Sequence, residues 1–95
     1  MLGGSLGLVV GDVSGHGMPS ALLMASTRAY LRCLSHTCAT VGEIMTRVNR
    51  FVHDDTDHES FVTLLLARYN PRTRQLTYGN AGHPPGYVLD RAGRL

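Results

Sequence analysis

Three glycines in seven residues set the first constraint on this chain: the stretch Gly11-Asp12-Val13-Ser14-Gly15-His16-Gly17. Glycine reaches backbone angles that other residues resist, so the stretch reads as a turn. Before it, residues 6–10 are a short, continuous apolar run that suits a buried strand. After it, Pro19 fits the first turn of a helix, where its missing N–H costs nothing. That helix is expected over 19–35. Its apolar arc is wide, with Leu22, Ala25, Ala29 and Cys33 on one face and Leu23, Tyr30 and Leu34 on the next. So broad an arc predicts cover on two sides.

The second helix announces its own start. Thr40-Val41-Gly42-Glu43 has the pattern of a capping box, in which hydroxyl and carboxylate each satisfy an orphan N–H. Val41, Ile44, Met45, Val48 and Val52 then follow at helical spacing. Asp54, Asp55, Thr56 and Asp57 read as loop. Residues 61–69 predict a strand apolar on both faces at its start, hence central in a sheet. Asn70-Pro71-Arg72-Thr73 is a turn, 75–79 a second strand of an antiparallel hairpin, and 80–85 a rigid loop. Residues 86–89 read as a third strand and Asp90-Arg91-Ala92-Gly93 as a hairpin turn, with Arg94 and Leu95 opening another strand. One strand, two helices and a meander make an α+β fold, not the regular alternation of a parallel α/β fold.

Size and charge narrow the function classes. With 95 residues the chain is at most one small domain, and 43% hydrophobic residues is a globular composition. All nine basic residues are Arg, scattered without interleaved aromatics, so a nucleic-acid surface has little support. The apolar runs are too short to cross a bilayer, and no secretion signal is visible, which suits a cytoplasmic protein. Cys33 and Cys38 lack metal-site spacing and are expected as reduced, structural thiols.

The candidate chemistry sits in the glycine-rich turn. Asp12, at the end of a strand and followed by a turn, is well placed to hold a hard cation such as Mg²⁺ or Mn²⁺. An Asp in such a turn equally serves as a cap or turn-closing residue. His16 reads either as a proton donor, as a group orienting metal-bound water, or as a residue packed beside the turn. His83 lies at a site edge or structures its loop beside Pro84 and Pro85, and Asn80 is placed to fix that turn by its side chain. The acidic group Asp54, Asp55, Asp57, His58 and Glu59 lacks the ligand spacing of an EF-hand and reads as a solvated loop. A nucleotide-binding glycine loop has weak support, since the Walker lysine and dinucleotide spacing are missing.

Two strings carry a family resemblance. GDVSGHGMPSALLMA resembles the signature opening the helical part of SpoIIE-like (RsbU-like) phosphatases, the bacterial branch of the PPM class. ESFVTLLLARYNPRTRQLTYGNAGHPPGYVL is similar to the later hairpin of that family, with its NAGHPP turn. The resemblance implies part of an α-β-β-α sandwich: an antiparallel sheet with two helices on one face, one partial domain over 1–95, truncated at both ends. It implies a site for two Mn²⁺ or Mg²⁺ ions, with the Asp12 carboxylate bridging them and the Val13 carbonyl binding one. Asp12 and His16 would be catalytic, with Gly15, Asn80 and His83 in substrate binding or at the site edge. The reaction implied is metal-dependent hydrolysis of phosphoserine or phosphothreonine, with a phosphorylated anti-sigma-factor antagonist as substrate. Upstream and downstream acidic ligands of the family have no counterpart here, so the 95 residues alone are expected to bind metal weakly and be nearly inactive. Self-association, as a homodimer or otherwise, is expected from uncovered sheet. The competing expectation is a non-catalytic module of the same fold that binds a phosphoprotein or dimerises, with 19–52 as the switch element.

Overall fold

A computed structural model describes residues 4–56 and 60–95. The elements run β1 (Leu6–Val13), α1 (Gly17–Thr37), α2 (Val41–Asp55), β2 (Val62–Asn70) and β3 (Gln75–Ala81). The three strands form one antiparallel sheet in the order β1-β2-β3, an α+β arrangement. β2 is central, as its apolar pattern requires. Its alternation buries Leu64 and Leu66 on the side facing the helices.

The core lies between that side of the sheet and α2. Val41, Ile44 and Val48 of α2 pack with Leu64, Leu66, Leu34 and Cys38. The capping box sets where α2 begins. The Glu43 N–H donates to Thr40 Oγ1 at 3.1 Å, and Glu43 Oε2 accepts from the Ala39 N–H at 3.4 Å, one residue before the cap. Gly79 of β3 lets α2 approach: a Cβ there would stand 3.2 Å from Met45 Cγ. Tyr30 and Phe51 join the two helices, ring centroids 4.8 Å apart. Arg68, on the helix side of β2, donates from Nη1 to the Ala39 carbonyl in the link between α1 and α2. Cys38 is buried and Cys33 exposed, and both are unpaired.

Several expectations need correction. β1 extends to Val13, so Gly11, Asp12 and Val13 belong to the ladder and the turn shrinks to residues 14–16. β1 is not buried. It is an edge strand, and Leu8 and Val10 are more than half exposed because the side of the sheet away from the helices carries no second layer among the described residues. α1 starts at Gly17 and ends at Thr37, and it is covered on one side only. Met18 and Leu22 are exposed, and only Thr27 and Leu34 are buried along it. Asp54 and Asp55 end α2 instead of opening a loop; residues 57–59 lie outside the described residues. Asn80 and Ala81 continue β3. Residues 86–89 form no strand. They turn back across the open side of the sheet, where a Cβ on Gly86 would meet Leu65 Cδ2 at 3.1 Å, so they lie on a face and not beside an edge with free ladder groups. The Asp90 turn does form, its N–H donating to the Arg94 carbonyl at 2.8 Å.

Candidate active site at the end of β1

Strand alternation decides which side chains can meet. Asp12 pairs with Thr63, and Val10 with Leu65, which in turn pairs with Asn80 of β3. Period-two alternation therefore sets Asp12, Thr63 and Asn80 on the side of the sheet opposite the helices. Asp12 is exposed, and its carboxylate makes no hydrogen bond or ion pair among the described residues. It neither caps α1 nor closes the turn. The cap position of α1 is His16, whose side chain makes no capping bond.

The chain after Asp12 is pinned in place. The Ser14 N–H donates to the Phe61 carbonyl at 2.9 Å, and the Phe61 N–H donates back to Ser14 Oγ at 2.8 Å. Ser20 Oγ, in the first turn of α1, donates to the Ser14 carbonyl at 2.8 Å. Gly15 has φ +81°, and a Cβ there would stand 2.9 Å from Ser20 Oγ, so both backbone angle and space demand glycine. Val13, half-buried at the strand's last position, and exposed His16 bracket this pinned turn.

A second turn meets the same strand end from β3. Asn80 Oδ1 accepts from the His83 N–H at 2.8 Å, and Gly82 takes φ +70° to make the bend. His83 Nδ1 is hydrogen-bonded to Thr63 Oγ1 at 2.9 Å. Thr63, directly across the ladder from Asp12, thus ties the NAGHPP turn to that strand end. The structure brings Asn80 and His83 to the end of β1 where Asp12 and Val13 lie. It gives His16 no hydrogen bond to any of them among the described residues. Ser14, Ser20 and Thr63 were missing from the sequence-based site. Their partners lie 6 to 47 residues away, and only a hydroxyl beside a glycine turn hinted at them.

As a cation site, the strand end fits in part. A free, exposed carboxylate held at a strand end is an apt oxygen ligand for Mg²⁺ or Mn²⁺. No three His, Cys, Asp or Glu side chains converge among the described residues, so these residues do not complete a cage. Two adjacent dications need several anionic ligands to offset their repulsion.

The sequence places the chain in a known class: it is a member of the Stage II sporulation protein E (SpoIIE) family, whose model matches residues 3–94. Among curated proteins it is similar to the phosphoserine phosphatase RsbU of Bacillus subtilis (strain 168), 34% identical over 87 residues, covering 92% of this chain and 26% of RsbU. It is also similar to the phosphoserine phosphatase RsbP of the same organism, 28% identical over 92 residues, covering 92% of this chain and 23% of RsbP. The chain therefore spans about a quarter of the length of these relatives. No solved structure matches it significantly. No helix among the described residues is long and apolar enough to cross a membrane.

Proposed function

We propose that this chain is the part of a metal-dependent protein-serine/threonine phosphatase domain, of the PPM class, that contributes Asp12 to the metal site. The observation carrying this reading is the Asp12 carboxylate: exposed, without a protein partner among the described residues, and on a strand end pinned by Ser14. Membership in the SpoIIE family and similarity to two phosphoserine phosphatases support it. Asp12 and the Val13 carbonyl would hold Mn²⁺ or Mg²⁺, with other ligands coming from elsewhere in the parent protein. Bound there, a pair of such ions would neutralise phosphoryl charge and lower the pKa of an attacking water.

The chain's own residues do the rest. The Ser14 clamp fixes the direction in which Asp12 leaves the sheet. Gly15 keeps the turn tight against Ser20. Asn80 and His83 border the same strand end from β3 and stand where a phosphoester would approach. The substrate we propose is a phosphorylated regulatory protein, an anti-sigma-factor antagonist, in a sigma-factor control pathway of a bacterial cytoplasm.

The test is phosphate release from a phosphoserine protein by the full-length parent, with Mn²⁺ and with chelator. Release that requires Mn²⁺ and disappears in Asp12→Ala supports the reading. Tight phosphoprotein binding with no release under any metal would instead identify a non-catalytic binding module.

A further inference from the structure

Thr63 is the residue at this strand end whose chemistry the fold does not require. A half-buried strand position facing the open side of the sheet would be filled equally well by Val, which has the same shape and a similar strand preference. The hydroxyl instead serves one partner well: His83 Nδ1, at 2.9 Å. Its approach to the Asp12 carbonyl is long, 3.5 Å. His83 is held twice, its backbone N–H by Asn80 Oδ1 and its ring by Thr63. With Nδ1 engaged, Nε2 is the ring nitrogen left without a partner among the described residues. A ligand-facing imidazole is commonly set in this way, one nitrogen bonded to a fixed group and the ring thereby given its direction.

We propose that Thr63 is a positioning residue: its hydroxyl, directly across the ladder from Asp12, orients His83 so that Nε2 is presented to the phosphoester bound at the strand end. This rests on the phosphatase reading above and adds to it a role for a residue outside the metal site. The competing account is structural, with the bond merely tying residues 82–85 to the sheet. The two differ in what they predict for turnover. Loss of a tether lowers stability and leaves the folded enzyme's kcat alone. Loss of positioning lowers kcat while substrate binding is largely kept.

The experiment uses the full-length parent with Mg²⁺ and a phosphoserine protein substrate. Thr63→Val and Thr63→Ala both lack the hydroxyl, and circular dichroism identifies which keeps the native fold. The folded variant is expected to lose about 10- to 100-fold in kcat, the range for groups that orient a site residue. KM should stay within about 3-fold, and Thr63→Ser should restore most of kcat. His83→Gln should match the loss, and the double variant should be no worse than His83→Gln alone, because both changes remove one action. An unmodified kcat in the hydroxyl-free variant, or losses that multiply in the double variant, would overturn the role. An inactive unmodified parent would sink the phosphatase reading itself, a failure distinct from an active parent indifferent to Thr63.

Discussion

Asp12 and Thr63 are direct partners across the β1–β2 ladder, and Thr63 passes that position on to His83 through a 2.9 Å hydrogen bond. Two segments far apart in sequence, the glycine-rich turn and the NAGHPP turn, thereby meet at one strand end. A site built this way depends on the sheet register. A slip of one residue would carry Asp12 to the helix side.

The Ser14 clamp is the first place where this dependence can be measured. Ser14→Ala removes the acceptor of the Phe61 N–H and keeps the backbone bond from Ser14 to Phe61. Stability should fall by about 1 kcal/mol, the usual net value of such a bond. Urea unfolding of the full-length domain would read this, and an unchanged midpoint would show the clamp to be idle.

Arg74 offers a change in the opposite direction. It closes the β2–β3 hairpin at φ 59°, a left-handed angle unfavourable for a residue with a Cβ. Its N–H donates to the Asn70 carbonyl at 2.8 Å, and the Arg72 N–H donates to Asn70 Oδ1 at 3.0 Å, so the turn is well bonded despite that angle. Arg74→Gly should stabilise the domain by about 0.5–1 kcal/mol, the relief of left-handed strain less glycine's extra chain entropy. A raised thermal midpoint is the expected readout; a lowered one would mean the Arg side chain contributes elsewhere.

The Asp90 turn carries a pH signature. The Arg94 N–H holds the Asp90 carboxylate below the ordinary Asp range, opposed by desolvation and helped by the Ala92 N–H, the Arg94 side chain and the Gly93 N–H. A carboxylate depressed in the folded state contributes stability above its unfolded pKa and loses it as pH falls through the folded value. The turn should therefore stay ordered at neutral pH and loosen only in acid below the normal carboxylate range. Carbon-detected NMR titration of Asp90 would show this; a midpoint at or above the ordinary Asp value would contradict it.

The open side of the sheet has a consequence for assembly. Leu8, Val10, Leu65 and Tyr78 line a groove of about 570 Å³ there, under residues 85–88, and Tyr78 is 68% exposed. Exposed apolar surface and a β1 edge unpaired among the described residues favour association. The isolated 95-residue chain should sediment as a dimer or larger species, and a sharp monomer boundary across concentrations would count against this.

What the sequence disclosed and what it hid follow from the range of the forces involved. α2 was legible because its cap and its apolar spacing are both local: Thr40, Glu43 and the Val41–Ile44–Val48 stripe lie within one segment. β2 was legible as the central strand from its continuous apolar run, although only its helix-facing Leu64 and Leu66 are buried. β1 and α1 misled for the same reason. Leu8, Val10, Met18 and Leu22 are apolar enough for burial, yet nothing among the described residues covers them. Residues 86–89 have strand-like composition, but a strand also needs a neighbour's ladder groups, which composition does not record. The Asp12 position was readable from a strand meeting a glycine turn. Thr63 was not, because its bond is to His83, 20 residues away, and its place opposite Asp12 depends on the register.

Metal binding at Asp12 is the claim on which the functional reading stands. Calorimetric titration of Mn²⁺ into the full-length parent and into its Asp12→Ala variant, both checked for native fold, tests it most directly. The account predicts that affinity falls by more than about 10-fold in the variant, at least the loss seen when supporting groups of metal sites are removed. Equal Mn²⁺ affinity in the two proteins would contradict it.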